Sequence, residues 1–382
     1  MTIEKLVAGG DGLARTDDGI PVFVPRSAPG DRLRIRLTER RSGFGRAEID
    51  EILEPGPGRR EPPCPHFERC GGCDLQHLDE IHQLRYKAEA VRENLRRLGG
   101  LEAPSDVRVI PGTPWGYRLR TQLHVAETER GRQIGYFARG SHDLVPVDQC
   151  PVLVPELAAQ LATIEAAMRE QHHDRIDLVA GDDGSWTSSP AVDGLPQGEI
   201  HQTVGDMTYT FDGRCFFQGH RGLLPKLVEE ALGDFEDAEG EAFDLYAGVG
   251  LFALPLARRY RKVTAVESGR DAVRFGRRNA RKQGLDNLEF EAQAVDTWIE
   301  QLPDDVARVL VDPPRVGLAT AVREALVARR PRHITYVSCD SATLARDLAQ
   351  LKTAYQLDRL TLLDLFPQTG HLEAVVQLSL RS

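Results

Sequence analysis

The chain has 382 residues, of which 41% are hydrophobic and 28% charged, and its formal net charge is −10. That length allows two or three domains, each with its own core, and the acidic balance excludes an indiscriminate nucleic-acid coat, which needs excess positive charge to displace counterions. No apolar run approaches the roughly 18 residues of a membrane helix, and the start MTIEKLVAGG lacks the basic and apolar regions of a signal peptide, so a soluble, cytoplasmic protein is expected, with no membrane association and no obligate protein partner.

Residues 1–57 alternate short β-like runs (IPVFVP, DRLRIRLTE, GRAEIDEIL) with Gly, Pro and Asp turns, the pattern of a small antiparallel barrel. Lysine is confined to Lys5, Lys87, Lys226, Lys262, Lys282 and Lys352, while arginine crowds RLRIRLTERRSGFGR and RYKAEAVRENLRRLGG. Local basic patches on an acidic body are therefore possible, although a GC-rich genome would leave the same bias. The stretch PGPGRREPPCP breaks regular structure and marks a boundary.

A central region, residues 58–215, opens on three cysteines. Leu78, Ile81, Leu84, Ala88, Val91, Leu95 and Leu98 then recur at helical spacing up to Gly99-Gly100, which predicts an amphipathic helix over about residues 76–100 that could pack with the last domain. Further on, YRLRTQLHVA, QIGYFA, RIDLVAG, EIHQTV and MTYTF, interrupted by the helical VPELAAQLATIEAAM, make this region mostly β.

Over residues 216–382 helix and strand alternate: LLPKLVEEAL, AFDLYAG, FALPLARRY, KVTAVE, DAVRFGRRNARKQG, LEFEAQAVD, ARVLVD, HITYVSCD. Such alternation predicts an α/β fold, a doubly wound parallel sheet whose ligands lie at the carboxyl ends of the strands. The first strand runs into DLYAGVG, where Gly248 and Gly250 let backbone approach a ligand above a helix N-terminus. Glu267 ends the second strand, placed to accept hydrogen bonds from both ribose hydroxyls of an adenosine ligand, and Asp296 could reach an adenine amine. S-adenosylmethionine and NAD would be served almost equally, although NAD sites prefer a third glycine where this chain has Ala253. The next strand discriminates. Asp312 is followed by Pro313-Pro314, a rigid extended turn that a dehydrogenase does not need and that many methyltransferases carry between methyl donor and acceptor.

Cys339 arrives at the same sheet edge on HITYVSCD. Alone it could be a nucleophile or a packed thiol. Cys64, Cys70 and Cys73 are spaced C-x5-C-x2-C, with Cys150 far downstream before a proline; four thiolates suit an iron–sulfur cluster, and zinc would accept the same set. Cys215 has no partner in these motifs and is expected to be a packed thiol.

Taken together, VSCDSATLARDL, DLFPQTGHLEAVVQL, FFQGHRGLLPKLVEEAL, LVDPPRVGL and FDLYAGVGLFALPLA resemble the RNA (uracil-5-)-methyltransferase family, nearest to the bacterial 23S rRNA 5-methyluridine methyltransferases with a TRAM domain and an iron–sulfur cluster. The resemblance covers most of the chain. It implies an oligonucleotide-binding-like TRAM barrel over residues 1–57, a central domain over 58–215 with the cluster motif CPHFERCGGCDLQH, and a class I S-adenosylmethionine-dependent methyltransferase domain over 216–382. It assigns Cys339 as the nucleophile, Glu373 as the base, Gln218, Tyr246, Glu267 and Asp312 as cofactor-binding, and Cys64, Cys70, Cys73 and Cys150 as ligands of a 4Fe-4S cluster. That set, with Gly71-Gly72, Gln76 and Pro151, tilts the cysteines from zinc toward iron–sulfur.

The chemistry explains these residue types. Carbon-5 of uracil is too poor a nucleophile to attack the methyl donor directly. A thiolate adding at carbon-6 creates an enolate with charge at carbon-5; after methyl transfer a base removes the carbon-5 proton and the thiolate leaves. Arg315 and His371 could assist at the uracil oxygens or a phosphate, or make structural ion pairs, and Phe217 could stack on the target base or sit in the core. Leu251 stands where several relatives carry a polar residue. The substrate implied is ribosomal RNA, with tRNA the near alternative. A cytosine-5 enzyme would commonly place proline before the thiol, where this chain has Ser338, and a non-catalytic iron–sulfur RNA-binding protein would have no use for Cys339, Glu373, Asp312 and Gln218.

Overall fold

A computed structural model describes residues 1–235 and 237–381. At the N-terminus β1 (Lys5–Leu6), β2 (Gly12–Arg15), β3 (Pro21–Val24), β4 (Arg32–Arg40) and β5 (Gly45–Glu54) form one sheet in the order β1-β2-β3-β5-β4. The alternation that suggested these strands puts Val22 and Val24 inside with Ile3, Ala14, Leu33 and Ala47, a core of its own. β3 and β5 run parallel, so the unit is not wholly antiparallel as expected. The arginine-rich β4 is not a free basic patch: Arg32, Arg34 and Arg36 face Glu54, Glu51 and Glu48 of β5 as cross-strand ion pairs.

Helix α1 (Glu80–Gly99) starts at Glu80 because the Asp79 carboxylate caps it, accepting from His82 N at 2.9 Å, and it stops at Gly100 in the left-handed region. Tyr86, Ala88, Val91 and Leu95 form its buried face, whereas Ile81 and Leu98 of the apolar stripe are exposed. β6 (Arg108–Ile110) follows. The central sheet is built from β7 (Arg120–Thr128), β8 (Gly131–Phe137), β9 (Leu144–Pro146), β10 (Arg175–Ala180) and β11 (Trp186–Ser189) in the order β11-β10-β7-β8-β9. Between β9 and β10 the segment read as one helix is two short ones, α2 (Pro155–Ala158) and α3 (Leu161–Met168). β12 (Glu199–Val204) and β13 (Met207–Asp212) make a separate hairpin.

The last region contains α4 (Leu224–Leu232), β14 (Asp237–Leu245), α5 (Ala253–Leu256), β15 (Tyr260–Glu267), α6 (Arg270–Lys282), β16 (Leu288–Ala292), α7 (Val295–Trp298), β17 (Arg308–Val311), α8 (Thr320–Arg329), β18 (His333–Ser338), α9 (Ser341–Leu351), β19 (Tyr355–Leu363) and β20 (Glu373–Leu380). Its eight-stranded sheet has the order β16-β15-β14-β17-β18-β20-β19-β6. The neighbours from β16 to β18 run parallel, and their near-continuous burial is what helices on both faces require. β20 alone is reversed, antiparallel to both β18 and β19. Its first residue, Glu373, therefore lies at the edge where the parallel strands end: Ser338, the last residue of β18, pairs with Ala374. The edge strand β6 joins this sheet from the central region, and α1 docks against α9, where Gly99 meets the Ala345 backbone. Among the described residues no helix is long and apolar enough to cross a membrane.

Candidate active site

Four strand ends deliver the site. β14 passes through Asp244 and Leu245 into Tyr246, which takes a left-handed backbone (φ 69°) to begin the glycine turn. Glu267, ending β15, folds back over that turn and accepts from Gly248 N at 3.0 Å and Gly269 N at 2.6 Å. The carboxylate thus holds the loop closed while remaining half-exposed to a ligand. Asp296 is not at a strand end but in the first turn of α7, next to the Tyr246 hydroxyl.

Asp312 directly follows β17, and its Oδ2 accepts from Gln218 Nε2 at 3.2 Å, so two residues 94 apart in sequence form one edge of the pocket. Burial pushes the Asp312 carboxyl up and the Gln218 amide pulls it down. The turn after it is pinned from α9: Leu318 N donates to Asp347 Oδ2 at 2.7 Å, Arg346 Nη2 to Val316 O at 2.9 Å, and Thr343 Oγ1 to Arg315 O at 3.0 Å. Gly317, at φ 75°, is required there; a Cβ would meet Arg346 and Asp347 at 2.5 and 2.6 Å.

Cys339 lies between β18 and the N-cap of α9, where Asp340 Oδ1 accepts from Ala342 N and Thr343 N at 3.0 and 2.8 Å. A helix N-terminus ordinarily favours a thiolate, but here the Asp340 carboxylate already occupies it. The thiol is instead pushed up to about 12, first by burial and then by the charges of Glu373 and Asp312, against the opposing pull of Arg315. Glu373 is 1% exposed, and neither of its carboxyl oxygens has a hydrogen-bond partner. Burial, then Asp312, raises it well above the ordinary carboxylate range, again against Arg315. Arg315 is thus the cation whose charge acts on both groups. His371 also feels it and is held toward the neutral form, mainly by burial.

Of the two readings open for Phe217 the packed one holds, and one acidic neighbour was not foreseen. Phe217 is core, stacked at 4.6 Å on Phe211 and packed against Tyr209, while the exposed aromatic is Phe216. Asp244, not singled out from sequence, is fully buried, and burial and the Asp312 charge raise its pKa strongly against the pull of the Ala253 backbone N–H. Its place at the end of the first parallel strand was the available signal. Leu251 is buried. Cys215 is 2% exposed and is a packed thiol, as expected.

Away from this edge, Cys64, Cys70, Cys73 and Cys150 line one pocket with Gln76, Arg118 and Tyr136. No disulfide joins them. Gln76 Oε1 accepts from Cys64 N at 3.2 Å, Gly72 N points at Cys70 Sγ at 3.3 Å, and Gly71 approaches the end of β8 so closely that a Cβ would lie 2.8 Å from Phe137 O. Burial pushes Cys73 up to about 12. The Arg118 side chain has no carboxylate partner among the described residues; its neighbours are the thiols and the Tyr117 hydroxyl. Among the described residues no group of three or more Cys, His, Asp or Glu is arranged to hold a metal ion.

Residues 198–381 match the tRNA (Uracil-5-)-methyltransferase family and residues 1–49 match the TRAM domain. The chain is 34% identical to the 23S rRNA (uracil(1939)-C(5))-methyltransferase RlmD of Pectobacterium atrosepticum, over 98% of this chain and 92% of that protein. It is 35% identical to the enzyme of the same name from Salmonella choleraesuis, over 98% and 95%. The fold is similar to a crystal structure of Pyrococcus abyssi tRNA (uracil-54, C5)-methyltransferase in complex with S-adenosyl-L-homocysteine, with a TM-score of 0.76, 25% identity and 99% of each chain covered.

Proposed function

The chain belongs to the RNA (uracil-5-)-methyltransferase family, and from that premise we propose that it methylates carbon-5 of a uridine in 23S rRNA, with Cys339 as nucleophile and Glu373 as base. The observation that carries this reading is the convergence of Asp312, Cys339 and Glu373 at one sheet edge, with Gln218 bonded to Asp312 and Arg315 acting on the other two.

Gln218, Tyr246, Glu267 and Asp312 would hold S-adenosylmethionine, whose sulfonium carries the electrophilic methyl group. The unpartnered oxygens of Glu373 at this edge are the kind of buried polar atoms that a ligand completes. Cys339 adds to carbon-6 as the thiolate, which needs its proton removed and its charge tolerated. Burial and the charges of Glu373, Asp312 and Asp340 raise the thiol and only Arg315 lowers it, which keeps the nucleophile protonated. A cation held beside Asp312 would offset the carboxylates that raise Cys339 and Glu373 and would favour the ionised form of each. Glu373 then takes the carbon-5 proton and Cys339 is expelled, which restores the pyrimidine double bond. The exposed Phe216, two residues before Gln218, offers an aromatic face to an unpaired base, a role the buried Phe217 cannot fill.

The four-cysteine pocket fits a 4Fe-4S cluster. Four unpaired thiols line one pocket, and an arginine without a carboxylate supplies positive charge against four thiolates. Cys64, Cys70, Cys73 and Cys150 would be the ligands, and a cluster there would join the 64–76 loop to the segment that follows β9. The barrel and central sheet provide the surface that grips an RNA loop while one base is flipped out.

The test of the nucleophile is trapping. RNA carrying 5-fluorouridine at the target position cannot lose fluorine as a proton, so an SDS-stable protein–RNA adduct is expected with the wild type and none with Cys339→Ala. An adduct that persists in Cys339→Ala overturns the assignment.

A further inference from the structure

The loop from Asp364 to Leu372 joins β19 to β20 and ends where Glu373 begins. At its centre Gln368 is fully buried and holds a left-handed backbone, φ 69°, which a side chain other than glycine adopts only when its surroundings impose it. Those surroundings come from a distant part of the chain. Gln83 of α1 grips Gln368 at both ends of its amide: Gln83 Oε1 accepts from Gln368 N at 3.0 Å, and Gln83 Nε2 donates to Gln368 Oε1 at 2.9 Å. Gln368 O accepts from both Asp74 N and Leu75 N at 2.9 Å. Asp74 is the residue after Cys73, and its carboxylate also accepts from Gly370 N at 3.0 Å. Gly370 is packed so tightly on the first turn of the N-terminal sheet that a Cβ would lie 2.3 Å from the Gly9 carbonyl carbon.

We propose that Gln368 is a positioning residue for Glu373, tying the base to the cysteine-bearing segment and α1 so that the carboxyl is presented correctly for removing the carbon-5 proton. The proposal rests on the reading of Glu373 as that base. A carboxyl with no hydrogen-bond partner of its own cannot hold its own position. It is held from β20, which fixes its C-terminal side, and from this loop, which fixes its N-terminal side. Every side-chain anchor of Gln368 lies outside the methyltransferase domain: Gln83, Arg60 and Glu80. The base is thereby set from the N-terminal half of the molecule through Gln368, whereas the Cys339 segment meets that half by a different contact, Asn94 Nδ2 donating to Ser341 Oγ at 2.9 Å, which the Gln368 bonds do not share.

That separation makes the proposal testable, because addition and elimination are distinct steps on one RNA. Wild type, Gln368→Ala, Gln83→Ala and Glu373→Gln holoenzymes are mixed with S-adenosylmethionine and a uridine-containing ribosomal RNA fragment in single turnover and quenched in SDS. Adduct and released 5-methyluridine are followed separately. Gln368→Ala and Gln83→Ala are expected to form the adduct within about twofold of the wild-type rate but to release product about 100-fold more slowly, so that adduct accumulates, since a displaced catalytic group forfeits that order of rate. Release at the wild-type rate, or addition and release slowed in equal proportion as general loosening would do, overturns the proposal. Gln83→Ala, which removes both of its bonds to Gln368 but leaves that residue itself in place, carries the test if Gln368→Ala does not fold. Glu373→Gln separates the two ideas. If it accumulates adduct while the glutamine variants do not, positioning alone is wrong; if it does not, the base assignment fails and the proposal with it.

Discussion

At the level of single residues the site is defined by where charge is tolerated. Cys339, Glu373, Asp312 and Asp244 are four acidic groups gathered at one edge, three of them raised well above or toward neutrality by burial, and the thiol held up to about 12. An acid whose pKa is raised is protonated below that value and ionises as pH climbs through it. With the thiol at about 12, roughly one Cys339 in ten thousand is ionised at pH 8, so alkylation of the ligand-free enzyme by iodoacetamide should be slow and rise about tenfold per pH unit between pH 8 and 10. Arg315→Ala removes the opposing cation and should slow alkylation further at each pH; faster alkylation in that variant contradicts the electrostatic account. Glu373→Gln keeps the shape of the base without its proton affinity and should lower turnover by about 100-fold or more, measured as 5-methyluridine released per enzyme. Much of this was legible in the sequence, because Asp312 and Cys339 close apolar runs and strand ends are where α/β sheets put chemistry. Phe217 was not: two adjacent phenylalanines carry no mark of which faces inward, and packing on Phe211 settled it. Asp244 escaped because an acid before a glycine turn reads as part of the turn.

At the level of elements the decisive feature is the direction of β20. The alternation of helix and strand predicts a parallel sheet, in which a residue at the start of a strand lies at the end opposite the ligands. Reversal of β20 brings Glu373 to the carboxyl edge, beside Cys339, through a hairpin partner rather than a crossover. Nothing in the spacing of DLFPQTGHLEAVVQL distinguishes the two directions; only the resemblance carried Glu373 to the site before the topology was seen. Helix α1 is the second case. Its amphipathic spacing and its packing with the last domain were readable, but the pair that fastens it was not, since Lys87 meets Asp364 at 2.7 Å across 277 residues. Both are buried, and Lys87 Nζ also donates to Phe366 O at 3.0 Å. Lys87→Met leaves Asp364 without its cation inside the protein, which should cost about 3–5 kcal/mol and lower the thermal midpoint by several degrees in calorimetry. The double variant Lys87→Met/Asp364→Leu should recover most of that loss, and no recovery would mean that the pair is not the reason.

At the level of the whole molecule the N-terminal half does more than present a surface to RNA. Cross-strand glutamates neutralise the arginines at the outer end of the first sheet, so RNA affinity does not follow from counting arginines. From the central region β6 extends the methyltransferase sheet and α1 packs against α9, and the cysteine loop touches the segment that carries the base. Anaerobically purified protein should contain about four iron atoms and show charge-transfer absorbance in the visible, both lost in Cys70→Ala; a stoichiometric zinc content without visible absorbance would assign the pocket to a different metal. The central claim is the reaction itself. Purified enzyme is incubated with labelled S-adenosylmethionine and either 23S rRNA or tRNA lacking their modifications, and the product nucleoside is mapped by mass spectrometry. The account predicts one methyl group at carbon-5 of a uridine in 23S rRNA, absent with Cys339→Ala; label on cytidine, on tRNA alone, or on no RNA would contradict it.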